Sequence, residues 1–255
     1  MHDFLFYIIS GALVGVAVGL TGVGGGSLMT PILLLLNIPA HIAVGTDLLY
    51  AAGTKAIGVH LHHKKKNIHW PVALTMLAGS LPASGITIIG LQYFFIEPQT
   101  YQSILTSTLG VMLLVTGLLI LFKKAKPSQS PTSIPPQALK LKTLLMGVLL
   151  GVLVTLSSVG AGVCGTAILF ALYPRLKGVE IVGTDIAHAV PLTLIAGLGH
   201  LYLGNVDFTL LGGLIIGSIP AMLLGTHLGA KLPDVWMRKV LAVILLGMGI
   251  RYSFL

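Results

Sequence analysis

Hydrophobic residues in this chain come in long runs and not at the amphipathic spacing of a soluble helix or strand. The runs cover about 4–36, 41–62, 70–91, 101–122, 143–173, 180–203, 208–230 and 236–254. An apolar run of roughly 20 residues crosses a hydrocarbon core as one helix, and six of the runs fit that length. The first and fifth are too long, and each is interrupted by small residues: Thr21-Gly-Val-Gly-Gly-Gly-Ser27 and Ser157-Ser-Val-Gly-Ala-Gly162. Glycine costs about 1 kcal/mol relative to alanine inside a helix, so both clusters predict a break. The apolar run after each break is short, from Ser27 to Asn37 and from Val163 to Tyr173. At about 1.5 Å per residue such a run spans roughly half the hydrocarbon, so each short helix is expected to start near the midplane.

The order of elements repeats. Sliding the chain by 138 residues aligns Gly45-Thr46-Asp47 with Gly183-Thr184-Asp185, His62 with His200, Asn67 with Asn205, and Gly79-Ser80-Leu81-Pro82-Ala83 with Gly217-Ser218-Ile219-Pro220-Ala221. The two breaks align at an offset of 136. Ordered matches through polar residues at one offset indicate a duplication. The segment 123–142, rich in proline, serine and lysine, reads as a flexible cytoplasmic linker between a first repeat, 1–122, and a second, 143–255.

Charge orients the halves. Lys64, Lys65 and Lys66 place the loop at 62–69 in the cytoplasm, whereas its counterpart at 203–207 has no cation. The loop at 92–100 carries only Glu97, and its counterpart at 231–239 holds Lys231, Arg238 and Lys239. The turn at 37–42 has no cation, and its counterpart holds Arg175 and Lys177. Opposite charge in every pair requires an odd number of crossings per half. That number results if each broken run enters and returns to one side, as a re-entrant hairpin or as two short crossings. Of the 15 lysines and arginines, all but Lys55 and Arg251 then face the cytoplasm. The expected fold is an all-α integral membrane protein of two inverted-topology repeats. Each has a glycine-broken helix hairpin plus three transmembrane helices, and both termini lie outside. Trp70, Tyr93, Tyr101, Tyr202 and Trp236 fall at segment ends, as an interfacial belt does.

Composition agrees. With 9% charged residues and 55% hydrophobic ones the chain cannot make a water-soluble surface. The net charge of +8 sits in clusters at segment ends without interleaved aromatics, which argues against nucleic acid. The single cysteine, Cys164, excludes an intramolecular disulfide, and no CxxC or His/Cys cluster suggests a metal. No cofactor motif and no GxxxxGK[ST] appears, so energy for movement would come from a gradient or a partner. The start, MHDFLFYIIS, has no basic region and is read as retained.

The candidate chemistry follows from the breaks. A helix that begins in mid-bilayer presents unpaired N–H groups and a partial positive charge, and glycines allow close approach of a ligand. Two such ends meeting from opposite faces would make an anion site. Its expected lining is Thr21, Gly22, Gly24, Gly25, Gly26 and Ser27 in the first half, and Ser157, Ser158, Gly160, Gly162 and Cys164 in the second. The plain alternative is that these small residues only allow close helix packing. A lone buried cysteine, likewise, is commonly an apolar filler. Asp47 and Asp185 each follow a threonine that would cap the helix, and an acid there complements the helix dipole. Intramembrane acids also mark ion pathways, so coupling to a proton or sodium is the second reading. Lys55, whose counterpart is Thr193, would snorkel, pair with Asp47 or attract the anion. His188 lies three residues after Asp185, within reach across one turn. His62, His63, His69 and His200 lie at segment ends and read as interfacial. Pro82 and Pro220 read as helix kinks.

The runs GLTGVGGGSLMTPILL, IPAHIAVGTDLL, SSVGAGVCGTAIL and VGTDIAHAVPL resemble the TauE/SafE family of sulfite exporters over nearly the whole chain. The family's motif falls on Gly22, Gly24, Gly25, Gly26 and Pro31, and in the second half on Gly160 and Gly162. Leu169 stands roughly where Pro31 would repeat. The resemblance implies a permease of the prokaryotic cytoplasmic membrane that exports sulfite, an organosulfonate or a related small anion. Import of thiosulfate or another oxyanion is the alternative within transport. An intramembrane enzyme built on Asp185 and His188, or a non-transporting membrane protein, are the alternatives outside it. Oligomeric state is not encoded in any of these features.

Overall fold

The computed structural model describes residues 2–21, 28–94, 98–122, 136–229 and 234–254. They form ten helices: α1 (His2–Thr21), α2 (Met29–Leu35), α3 (Ala40–Lys64), α4 (Trp70–Phe94), α5 (Pro98–Phe122), α6 (Pro136–Ser157), α7 (Val163–Leu172), α8 (Gly178–Tyr202), α9 (Phe208–Gly229) and α10 (Asp234–Phe254). Each half thus has a long helix, a short one and three further long ones. No strand occurs among the described residues. The spans Trp70–Tyr93, Gln102–Phe122, Pro136–Ser157, Gly178–Tyr202 and Phe208–Gly225 are long and apolar enough to cross a membrane. The protein is a multi-pass membrane protein.

The second long run stops where its small residues predict a break. In the second half α6 ends at Ser157 and α7 starts at Val163, with positive φ at Ser158, Gly160 and Gly162 between them. In the first half α1 ends at Thr21 and α2 starts at Met29. Gly22, Gly24, Gly25, Gly26 and Ser27 lie outside the described residues. The expected linker is shorter than the composition suggested, because α6 already starts at Pro136 and takes in residues up to 142. Proline suits the first turn of a helix, and the residues after it, Gln137 to Lys142, are good helix formers.

Helix ends are local consequences of sequence. Asn37 and Lys66 take left-handed backbone after α2 and α3, as Gly204 does after α8. In each case the following N–H returns to a carbonyl five residues back: Ile38 to Leu33 at 3.0 Å, and Asn67 to His62 and Asn205 to His200 at 2.9 Å. Asp207 opens α9 by accepting the N–H groups of Thr209 and Leu210. The Glu180 carboxylate accepts the Lys177 N–H at the start of α8.

Packing links one half to the other. α1 lies parallel to α9, with Gly11 against Leu214 and Gly15 against Ser218. In the same way α4 lies parallel to α6, with Gly147 against Met76 and Gly151 against Ser80. A Cβ at any of these glycines would fall within 3.0 Å of the opposed chain, so the backbones touch, as small residues permit in membranes. α3 and α8 run antiparallel, since Gly45 meets His200 and Gly58 meets Ile186. α5 and α10 are antiparallel too, with Gly110 at Ser253 and Gly117 at Leu246.

The outside of this assembly is apolar and its inside contains the polar groups. Leu13, Ile86, Phe122 and Val243 are each more than 60% exposed, while Asp47 and His188 are fully buried. Trp70, Tyr93 and Tyr202 are exposed at helix ends, in the expected belt. The side chains of Tyr101 and Trp236 lie outside the described residues.

Candidate functional site

The Gly-Thr-Asp element has three separate tasks in each half. Its glycine admits the other half's helix end: Gly45 lies on Asn205 and His200, and Gly183 on Asn67 and His62. Its threonine accepts a backbone N–H from the other half, Thr184 from His69 at 2.8 Å and Thr46 from Asp207 at 3.2 Å. The expectation that these threonines cap their own helices is therefore corrected. They sit well inside α3 and α8, where carbonyls of the preceding turn already occupy the helix N–H groups, and their hydroxyls look across to the partner loop.

Its aspartate points at a short helix. Asp47 Oδ2 accepts the Thr30 N–H at 3.2 Å, the Thr30 hydroxyl, and the Ser158 hydroxyl at 3.0 Å. One carboxylate of the first half therefore ties the first turn of α2 to the break of the second half. Its other oxygen, Oδ1, is buried with no hydrogen-bond partner among the described residues. Asp185 takes the corresponding place in the second half and lies directly on Gly165, in the first turn of α7, where a Cβ would overlap its Oδ1. The acids do complement a helix dipole, but that of the neighbouring short helix and not of their own.

Lys55 neither snorkels nor touches Asp47. It is buried, and its Nζ donates to the Ala161 carbonyl at 2.7 Å, inside the break between α6 and α7. Its electrostatic neighbours are Asp185 and Asp47. His188 does not bond Asp185 across a helical turn. Its Nε2 pairs with Ser80 Oγ at 3.0 Å, and its Nδ1 is buried with no hydrogen-bond partner among the described residues. The corresponding pair is Tyr50 with Ser218. His200 is fully buried, not interfacial, with Nε2 on the Thr155 carbonyl at 2.9 Å and Nδ1 facing the Asn205 amide at 3.2 Å. His188 reaches α4 of the first half, and His200 packs on Gly45 while bonding within its own half, so tertiary packing overrides their position along the chain.

Of the remaining residues expected in the lining, Thr21 is the last residue of α1. Ser157 is buried, and its hydroxyl turns back to the Leu153 carbonyl at 2.7 Å. Gly162 immediately precedes α7. Gly160 and Gly162 have φ of 113° and 139°, values that side chains rarely tolerate, so the backbone of this break requires glycine. Cys164 is buried against Thr116, with Sγ 3.6 Å from its hydroxyl. Ser158, Gly160, Gly162, Cys164, Asp47 and Lys55 are thus brought together, whereas His188 is turned away toward α4.

Thr30, Ser80, Thr116 and Gly165 belong to this centre and were not anticipated. Thr30 had a signal: it is a polar residue in a short apolar helix and matches Thr166 at the 136-residue offset of the breaks. Ser80 and Ser218 were visible in the repeated Gly-Ser-x-Pro-Ala runs, whose prolines drew the attention. Gly165 and Thr116 had no such signal.

A helical membrane protein with interrupted helices around buried charges is the architecture of a permease, in which irregular backbone at membrane depth surrounds a polar centre. The family profile "Sulfite exporter TauE/SafE" matches residues 7–252, and the chain belongs to that family of membrane transporters. It is 36% identical over 249 residues to the probable membrane transporter protein YjnA of Bacillus subtilis, covering 96% of this chain and 97% of the relative. It is 30% identical over 266 residues to the probable membrane transporter protein MJ0441 of Methanocaldococcus jannaschii, covering 95% and 92% respectively. A probable membrane transporter protein of Xylella fastidiosa is 28% identical over 235 residues, covering 91% and 87%. No solved structure matches the chain.

Proposed function

We propose that the protein is a secondary carrier that exports a small sulfur-containing anion, such as sulfite or an organosulfonate, from a prokaryotic cell. The anion is bound at mid-depth between the two helix breaks. The single observation that carries this reading is the meeting of elements from both halves at one buried centre: Asp47 with Thr30 and Ser158, and Lys55 with the Ala161 carbonyl. Lys55 supplies a cation there, and the break at 158–162 supplies glycine-exposed backbone beside Ser158 and Cys164. The glycine run at 22–26 is proposed to complete the lining from the first half.

The halves are proposed to be inverted repeats, 1–122 and 143–255, with a cytoplasmic linker and both termini outside. The antiparallel packing of α3 with α8 and of α5 with α10 supports this, because repeats related by an axis along the membrane normal would place equivalent helices parallel. Each broken run is proposed to return to its own side, since only then do both α3 and α8 start where the charge pattern requires.

Saturable flux of radiolabelled sulfite, sulfoacetate or thiosulfate into proteoliposomes is expected, and Gly25→Leu should abolish it. Undiminished flux in that variant would remove the glycine run from the site, and its absence for all three anions would remove the anion reading. Sidedness is tested by labelling Lys65→Cys and Val206→Cys in intact cells, with little background from the buried native Cys164. Position 206 should react from outside and position 65 should not. The second reading, uptake of thiosulfate or another oxyanion through the same centre, is favoured by the charge count below.

A further inference from the structure

We propose that Asp47 carries a proton that travels with the anion, making the protein a proton–anion symporter. This inference rests on the proposed anion site and adds to it the coupling ion and its carrier.

Three ionisable side chains meet the breaks: Asp47, fully buried; Asp185, 1% exposed; and Lys55, 8% exposed. With both acids ionised, two carboxylates face one ammonium and the centre already holds an excess negative charge. A further anion entering on its own would leave two uncompensated negative charges in a space shielded from water, which the low dielectric penalises heavily. One proton arriving with each anion cancels one of the negative charges that it brings.

The contacts of Asp47 make it the proton's seat. Asp47 holds the donors that an anion in this place would need, the Thr30 N–H and the Thr30 and Ser158 hydroxyls. Protonation weakens all three contacts together and leaves the donors to the passenger. The proton also has a place to go, because Oδ1 is buried with no hydrogen-bond partner among the described residues. Every element around Asp47 has been considered for competing charges. On α3 itself these are Lys55 and Tyr50, the latter bonded to Ser218 of α9. On α8 they are Asp185 and His188, the latter held by Ser80 of α4. Among the described residues of α2, α5, α6, α7 and the break at 158–162, the groups met here are the Thr30 and Ser158 hydroxyls, the Cys164 thiol against Thr116, and backbone. Because the proton and the anion bind together, an inward proton gradient drives the anion inward, so this proposal goes with the uptake reading of the site and not with export.

The test uses the full-length protein in liposomes that enclose a pH-sensitive dye, with radiolabelled thiosulfate outside, an anion that stays ionised near neutrality. In the wild type, entry of label should acidify the lumen, and an inside-alkaline gradient should raise uptake by about tenfold, within the usual range of coupling between two ligands. Saturable label entry without a dye response would overturn the symport and leave the anion site standing. No saturable entry of thiosulfate, sulfite or sulfoacetate would overturn both. Asp47→Asn should abolish the dye response and the gradient effect, and any label flux that remains should run without proton entry. Asp47→Glu, which restores a carboxyl, should return the dye response. A full gradient response in Asp47→Asn would show that the proton is carried elsewhere.

Discussion

The two broken-helix units share a frame and differ at the centre. In both, a Gly-Thr-Asp element docks on the other half's helix end and sends its acid to a short helix. In the first half that acid has polar partners, Thr30 and Ser158, and its helix carries Lys55. In the second, the acid rests on Gly165, and Thr193 stands where Lys55 would repeat, its hydroxyl returned to its own helix at the Ala189 carbonyl. The repeated residues build the scaffold and supply its two acids, and the unrepeated Lys55 supplies the cation. Strict symmetry would have given two lysines against two acids, a centre already balanced and with less need of a proton.

The comparison breaks most severely if the lysine is removed. Lys55→Thr makes the halves alike and leaves two buried carboxylates without their cation, and removing one partner of buried charges costs about 3–5 kcal/mol. The variant should melt far below the wild type in detergent, and Asp185→Asn added to it should recover a substantial part of the loss. If the single variant melts normally, Lys55 is not the counter-charge of this centre.

Much of the frame was legible in the sequence because it rests on residues that repeat at one spacing. The Gly-Thr-Asp pairs and the His62/His200 and Asn67/Asn205 matches are spaced alike in both halves, and each occupies an equivalent structural place. What sequence could not give was direction. The threonines were assigned to their own helices and His188 to Asp185, because spacing along one chain reveals neighbours on one helix only. The bonds run between halves: His69 to Thr184, Asp207 to Thr46, His188 to Ser80 and Lys55 to Ala161. For the same reason His200, at the end of an apolar run, was read as interfacial although the opposite half covers it. The residues with no repeat, Thr116 and Gly165, were invisible to any argument from periodicity.

A smaller effect tests the second acid. Gly165 aligns with Met29 at the offset of the breaks, so the first half tolerates a side chain where the second does not. Gly165→Ala places a methyl group on the Asp185 carboxylate and should cost about 1–3 kcal/mol, as overpacking does. Adding Asp185→Ser, which shortens the opposing side chain, should relieve part of the cost. An alanine variant as stable as the wild type would mean that Asp185 moves away freely, and that the second acid is not fixed against α7.

The mildest variants probe the frame itself. Thr184→Val and Thr46→Val keep side-chain volume but remove the acceptors for the His69 and Asp207 N–H groups. A net hydrogen bond contributes about 1 kcal/mol, and more is lost when the abandoned donor stays buried. Both variants should therefore lower the melting temperature by a few degrees while leaving anion flux measurable, since neither hydroxyl touches the centre. Thr184→Val should be the costlier of the two, because its bond is the shorter, 2.8 Å against 3.2 Å. If instead one valine abolished transport and the other did nothing, the two docking contacts would differ in function as the two acids do. The division between a repeated scaffold and an asymmetric centre would then have to be redrawn.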